Sequence, residues 1–382
     1  MSAKLILPLL SLFTLYAIWY YADANGLLEL ARQSIDRKTL PGSDAPLRTI
    51  YTGLPQLDHL LTTLTTFFWP TTDGSHPALT LHTLGFAGTF GSAWILITLE
   101  SWRQGNAWTL AAYPLIFGLS AQTLTFAFAA PLYCALQLTT SITSTSPTAT
   151  NIHIPKTILT TLPLIFTLSF ILPSALMILP VSSTITTDLK QLFIAFWQPF
   201  PAYISILLTL LHTLFSPFIS TSAKPTQKNP NLSSLRFIYA FTFFHTLIPH
   251  LVTLTISLST ILAPAILSPE YRTSLHPSIV FGIPTPWTSP VIQVNSVADG
   301  VHAFLRWDYL IGSVGMVVWA WRLYTNAVRK VSGGHTMGWC EWVSLVVRVG
   351  LLGVVSGPVG AAVVLVWGRD EMVLRGGSEK GK

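Results

Sequence analysis

Apolar residues in this chain come in long blocks divided by short polar stretches, and block length is the first thing that constrains the fold. A helix rising 1.5 Å per residue needs roughly 20 apolar residues to cross about 30 Å of hydrocarbon. Blocks at 5–21, 79–99, 108–138, 158–181, 193–219, 237–267, 309–327 and 339–367 approach or exceed that length. They predict an all-α fold, a polytopic transmembrane helix bundle with about eight spans. The block at 108–138 is long enough to require a tilt or a kink at Pro114 or Pro131. A shorter Thr-rich block, 57–69, predicts a re-entrant or interface-lying helix that ends in the turn around Pro70, Asp73 and Gly74.

The polar stretches fill in the organisation of a single transmembrane helical domain over 1–382. A mixed-charge extramembrane connector, 22–55, carries Arg32, Asp36, Arg37, Lys38, Asp44 and Arg48, with Pro41 and Pro46 as breakers. The Ser/Thr-rich loop at 139–151 has a composition that cannot build a core. A basic loop at 224–230, a turn at 329–335 and a basic tail at 368–382 with Arg369, Arg375, Lys380 and Lys382 complete the set. Block 5–21 follows a lysine, as a signal peptide would, but ends without a small-x-small cleavage site, so it reads as a retained first span. No repeat of fixed period stands out and the two halves differ, which weighs against a duplicated transporter.

Composition sharpens this picture. Only 9% of residues are charged against 51% hydrophobic, so the chain cannot cover itself with water-soluble surface. Its net charge of +6 lies largely in loops and tail, where basic residues set orientation. Lys and Arg do not alternate with aromatics along a face, so no nucleic acid partner is expected. Cys134 and Cys340, the only cysteines, fall inside apolar blocks and exclude a disulfide framework or thiolate metal site. The chain has no aspartate-rich magnesium run, D-x-D-D acid motif, phosphate loop or H-E-x-x-H pair, which removes the usual signatures of diphosphate ionisation, nucleotide hydrolysis and zinc proteolysis.

What remains for chemistry is a few acids beside aromatic residues: Asp58, Asp73 near Trp69, Glu100 near Trp102, and Asp308 beside Trp307. Ionisable groups at apolar segments are costly and tend to be functional. Each also has a structural reading. Thr-Thr-Asp-Gly is a turn sequence in which Asp73 would bond local amides. Glu100 and Arg103 at i,i+3 would pair on a helix. Asp308 could cap the helix it opens, and Trp307 and Tyr309 could be interface residues. Asp73 and Glu100, 27 residues apart, would stand about 40 Å from each other on a straight helix and could not share a reaction centre. Glu341 and Arg348 are expected to pair, with each other or across helices, and His245 and His250 to mark a kink at Pro249 in preference to a metal site. The 13 Trp, 11 Tyr and 21 Phe offer ring faces that stabilise a cation. Rings around one protonated acid are what proton-initiated cyclisation of a polyene requires.

The segments GLPQLDHLL, FFWPTTDG, LESWRQGN and FLRWDYLIG together resemble fungal integral-membrane terpene cyclases, of the kind associated with meroterpenoids such as ascofuranone and macrophorin. The resemblance is best over the N-terminal third and 304–312, while 139–290 is recognised by hydropathy alone. It implies a magnesium-independent cyclase in the endoplasmic reticulum membrane, with no cofactor and no metal, acting on a prenylated, often epoxidised substrate without cleaving a diphosphate. Its partners would be a hydrophobic isoprenoid-containing small molecule and the lipid bilayer. Carried over to matching positions, it implies Asp73, Glu100 and Asp308 as catalytic acids, with Trp69, Trp102, Arg103 and Trp307 against the substrate. The alternative from another class is a membrane transporter or scaffold for a hydrophobic metabolite, which would call for a polar path through the bundle.

Overall fold

A computed structural model describes residues 2–217, 232–335 and 337–379, with 376–379 described by backbone alone. The basic loop at 224–230 and Lys380 and Lys382 of the tail lie outside the described residues. Twelve principal helices carry the fold: α1 (Ala3–Ala24), α2 (Leu27–Arg37), α3 (Pro55–Thr72), α4 (Pro77–Ser101), α5 (Pro114–Thr123), α6 (Phe126–Thr140), α7 (Lys156–Met177), α8 (Thr187–Trp197), α9 (Phe200–Phe215), α10 (Leu232–Leu262), α11 (Val297–Val331) and α12 (Trp339–Glu379). There is no strand among the described residues, so the fold is all-α. Pro55, Pro77 and Pro114 each open a helix at its first turn, where the missing N–H costs nothing.

Four of these helices, α1, α7, α10 and α12, are long and apolar enough to cross a membrane, and the α8–α9 pair, bent by 56°, makes a fifth if it is one span. That is fewer than the eight blocks predict. Two blocks are helical but too polar to count: α4 turns Glu100 and its hydroxyl residues inward, and α11 buries Asp308 and Ser313 while exposing Arg322. Residues 88–101 of α4 are buried on every side, making it the central helix of the bundle. Its Gly88 and Gly91 let α10 approach closely; a Cβ at Gly88 would lie 2.9 Å from the His245 carbonyl oxygen and from Pro249, and one at Gly91 would collide with the His245 ring.

The 108–138 block is broken, and not by either proline. It divides into α5 and α6 at Thr125, where φ is +130°, with Pro114 starting one helix and Pro131 accommodated within the other. The 339–367 block is also not one straight span. Gly357, at φ +76°, interrupts α12 just before Pro358. The Trp342 ring stacks on Trp321 of α11 at 5.7 Å, while Gly368 packs on Tyr324 and Val373 clusters with Ala327 of the same helix. A straight helix would hold residues 342 and 373 about 46 Å apart. Both arms of α12 therefore return to the C-terminal third of α11. Pro358 leaves the Val354 carbonyl without its helical donor, and His250 Nε2, 3.0 Å away, takes that place. His250 thus serves a kink in the neighbouring helix and not one at Pro249, through which α10 runs as a single helix.

Three other expectations change. Arg369 is not part of a solvated tail, since α12 continues through it and buries it completely. The 139–151 loop supplies buried Ser141, Thr143 and Ser144 to the interior. Arg348 and Glu341 form no ion pair among the described residues; both lie exposed on α12, and Glu341 accepts from the Gly338 amide.

The connector is tied to the start of α3 by Asp58, whose carboxylate accepts from the amides of Tyr51 (3.1 Å), Thr52 (2.7 Å) and Gly53 (3.0 Å) and from the Thr52 hydroxyl. Burial pushes its pKa upward, but these donors outweigh it and hold the carboxyl below the usual range. A lowered folded pKa means that this contribution is present above the unfolded value near 4 and is lost as pH falls through the folded value. We expect Asp58→Asn to raise proteolysis within 38–54 at neutral pH, and the wild type to match the variant once it is acidified through that window. Equal cleavage at both pH values would rule the tether out.

Candidate active site

The acids that the sequence singles out occupy three unlike places. Asp73, partly exposed, ends α3 in a turn, accepting from the Ser75 amide at 2.9 Å and the Ser75 hydroxyl at 2.7 Å. Glu100 is fully buried in a network of four charges. Its Oε2 accepts from Arg103 Nε at 2.6 Å and Arg369 at 3.0 Å; its Oε1 accepts from Thr143 at 2.6 Å and Gln137 at 2.9 Å. Asp370 closes the set, accepting from Arg103 at 2.8 Å, Arg369 at 2.9 Å and the Tyr239 hydroxyl at 2.6 Å. Two carboxylates and two guanidiniums make a neutral cluster, the arrangement that offsets the cost of burying charge. With the Asn106 amide at 3.3 Å from Oε1, five donors on Glu100 leave it an acceptor with no room for a transferable proton.

Asp308 stands in a different setting. It is on α11, buried, in the wall of a cavity of about 860 Å³ enclosed by α2, α3, α4, the α5–α6 junction, α7 and α11. That volume is within the range of about 300–1,000 Å³ usual for small-molecule sites. Asp308 contributes the only carboxyl group to the lining among the described residues. The Ala127 amide donates to its Oδ1 at 2.6 Å, with the Phe126 amide and Thr125 hydroxyl also at the carboxyl. Asp308 therefore does meet a helix N-terminus, but that of α6 and not of its own helix, which Ser296 caps three turns earlier.

The wall around Asp308 is aromatic. Phe86 and Phe90, one turn apart on α4, face Phe126 at 6.0 and 5.2 Å; Phe67 meets Phe304 edge-on at 4.9 Å; Phe68 meets Trp197 at 5.4 Å; and Trp19 meets Phe304 at 5.5 Å. Polar atoms are few. The hydroxyls of Thr80 and Thr83 and the amide nitrogen of Gln122 lie in this lining, buried and without hydrogen-bond partners.

None of the tryptophans proposed from sequence lines the cavity. Trp69 is buried beneath Lys190, whose Nζ is 6.0 Å from the ring. Trp102 packs edge-on against His212 at 5.2 Å. Trp307 donates to the Pro284 carbonyl at 3.0 Å and meets Phe13 and Trp287. Arg103 is committed to the charge network. The rings missed by sequence reading had a signal: on a helix, neighbours in sequence point apart and residues four apart align. Phe304, four before Asp308, shares its face, whereas Trp307 and Tyr309 do not. Among the described residues no group of three or more His, Cys, Asp or Glu could hold a metal ion.

A helical bundle built around an apolar, ring-lined cavity with a single acid in its wall defines a protein shaped to hold a greasy small molecule. The chain belongs to the CtvD domain family, whose model matches residues 3–374. It is 30% identical over 361 residues to terpene cyclase ctvD of Aspergillus terreus, covering 94% of this chain and 96% of that one. It is 29% identical to terpene cyclase penA of Penicillium crustosum, over 95% and 94% of the two chains, and 30% identical to terpene cyclase ascI of Acremonium egyptiacum, over 100% and 95%. No solved structure matches the chain.

Proposed function

We propose that the chain is an integral-membrane terpene cyclase of fungal secondary metabolism, which closes rings on a prenylated, epoxidised or plain, substrate by proton-initiated cyclisation in a meroterpenoid or related pathway. The observation that carries this reading is the placement of Asp308 as the one carboxyl group, among the described residues, in a cavity lined mainly by rings and aliphatic side chains with a few hydroxyl and amide groups. Family membership and the names of the relatives supply the reaction class.

In this reading the neutral acid of Asp308 is the donor, since an unpaired charge is costly in such a cavity. Its proton passes to an epoxide oxygen, breaking one C–O bond, or to a terminal alkene carbon. Successive alkene π pairs then close rings, and Phe86, Phe90, Phe126 and Phe304 shield the migrating positive charge, each face contributing roughly 0.5–2 kcal/mol. A proton leaves to water or a basic side chain, so the product is an isomer of the substrate. The α6 N-terminus holds the carboxylate that remains until it is reprotonated. The free atoms of Thr80, Thr83 and Gln122 suit the oxygen-bearing end of a substrate that is otherwise hydrocarbon. Asp73 and the Glu100–Arg103 pair are assigned support roles, at the cavity mouth and in the scaffold.

The membrane setting belongs to the same reading. Exposed Val346, Val347, Leu351 and Val354 on α12 and Leu5, Leu9 and Leu12 on α1 suit contact with lipid tails. With α4 and α11 counted as inner crossings beside the apolar helices, and both arms of α12 entering the bilayer, about eight crossings result. We place the protein in the endoplasmic reticulum membrane. The rival transporter would need a polar path through the bundle, whereas the lining of this cavity is mostly apolar and includes one carboxyl group among the described residues. Microsomes containing the chain, given prenylated phenols with and without a terminal epoxide, are expected to yield cyclised products of unchanged mass, with or without a magnesium chelator. Failure with every substrate, while the protein is present and folded, would overturn the cyclase assignment.

A further inference from the structure

At the end of the molecule opposite the cavity mouth, a groove of about 640 Å³ opens between the N-terminus of α1, the loop that follows α6 and the C-terminus of α11. Lys4, Arg322, Arg329 and Lys330 line it, with Thr145, Ser146 and Asn326, and no Asp or Glu contributes. Arg322, Asn326, Arg329 and Lys330 are spaced i, i+4, i+7 and i+8, which puts them on one face of α11. Arg329 and Lys330 have an ordinary reason to be there, because cations in a last helical turn offset the dipole. Arg322, two turns deeper, and Lys4, from another helix, do not.

Six of the ten arginines outside the groove pair with acids: Arg32 with Glu29, Arg48 with Asp188, Arg236 and Arg375 with Glu371, and Arg103 and Arg369 with two buried acids; among the described residues Arg37, Arg272, Arg306 and Arg348 do not. Among the described residues, none of the four groove cations has a carboxylate within 4.0 Å. Four cations lining one groove without a carboxylate partner among the described residues, beside two hydroxyl side chains, suit an anion. Basic pockets at a membrane face take lipid headgroups.

We propose that this groove binds a phosphate-bearing anion, either the headgroup of an anionic lipid or free phosphate. The site is independent of the cyclase reading, as it shares no residue with the cavity.

The test uses the full chain in neutral detergent and a fluorescent short-chain phosphatidylserine as probe, with its phosphatidylcholine counterpart as control. Phosphatidylserine is expected to bind saturably and far more tightly. Each cation near an anionic headgroup contributes roughly fivefold, so R322Q/R329Q/K330Q is expected to weaken binding on the order of a hundredfold. R37Q/K38Q at the opposite end is expected to leave it unchanged. Displacement by millimolar inorganic phosphate, with inorganic phosphate alone raising the melting temperature equally, identifies the soluble anion; displacement by anionic lipid only identifies the headgroup. The proposal fails if phosphatidylcholine binds as well, if the folded triple variant retains wild-type affinity, or if R37Q/K38Q weakens binding as much.

Discussion

Asp308→Asn is expected to leave the protein folded and to remove nearly all turnover. A positioned general acid contributes about 10²–10⁴ in rate, so product formation per folded molecule should fall by that factor. Folding should survive because the Asn carbonyl oxygen can still accept from the Ala127 amide, now 2.6 Å from Oδ1. Asp308→Leu offers no acceptor to the start of α6, so it should also lose about 0.5–2 kcal/mol, as a lost cap does. Asp73→Asn separates the acid in the cavity from the acid at its mouth. Its carbonyl can keep the Ser75 turn, and turnover should stay within a few-fold of wild type. Product yield normalised to folded protein, with melting temperature measured alongside, decides between them. Wild-type turnover in Asp308→Asn with loss in Asp73→Asn would reverse the assignment.

Much of this fold was legible because hydrocarbon thickness and helical rise together fix how long an apolar block must be. What hydropathy could not show is where a block stops being straight. The break at Thr125 is a single residue at φ +130°, and the fold-back of α12 rests on Gly357. Neither changes the hydropathy of its block. Block length counts 79–99 and 309–327 as spans, yet α4 and α11 fall short of the apolarity of a crossing helix, with Glu100, Asp308 and Trp319 facing inward to partners contributed by distant segments. For the site, FLRWDYLIG identified the acid but sequence adjacency selected the wrong rings. Helical spacing from Asp308 reaches Phe304, and Phe86 and Phe90 sit four apart in the glycine-rich stretch that makes α4 central. Arg369 and Asp370, after a long apolar run, resemble the start of a solvated tail. Only the closure of α12 onto α4 and α10 reveals them as the other half of the Glu100 network.

That network carries the second large effect, on stability and not on chemistry. Glu100→Gln is expected to cost about 3–5 kcal/mol, since it leaves two buried guanidiniums sharing one acid and turns part of an acceptor into a donor facing them. The protein should then be lost on extraction from the membrane. Arg369→Met should also destabilise, though its Nη1 already lacks a hydrogen-bond partner, which marks it as the least satisfied member of the cluster. Combining the two leaves the Arg103–Asp370 pair, at 2.8 Å, and restores neutrality. The double variant should therefore recover most of the stability lost by Glu100→Gln, a coupling readable as a double-mutant cycle of melting temperatures in detergent. Ten residues separate Glu100 from Phe90, the deepest α4 residue in the cavity wall, or about 15 Å along the helix. At that distance, turnover per folded molecule should be near wild type in the double variant. A stable Glu100→Gln with no turnover would instead make Glu100 a participant in the chemistry and remove the basis for assigning the proton to Asp308 alone.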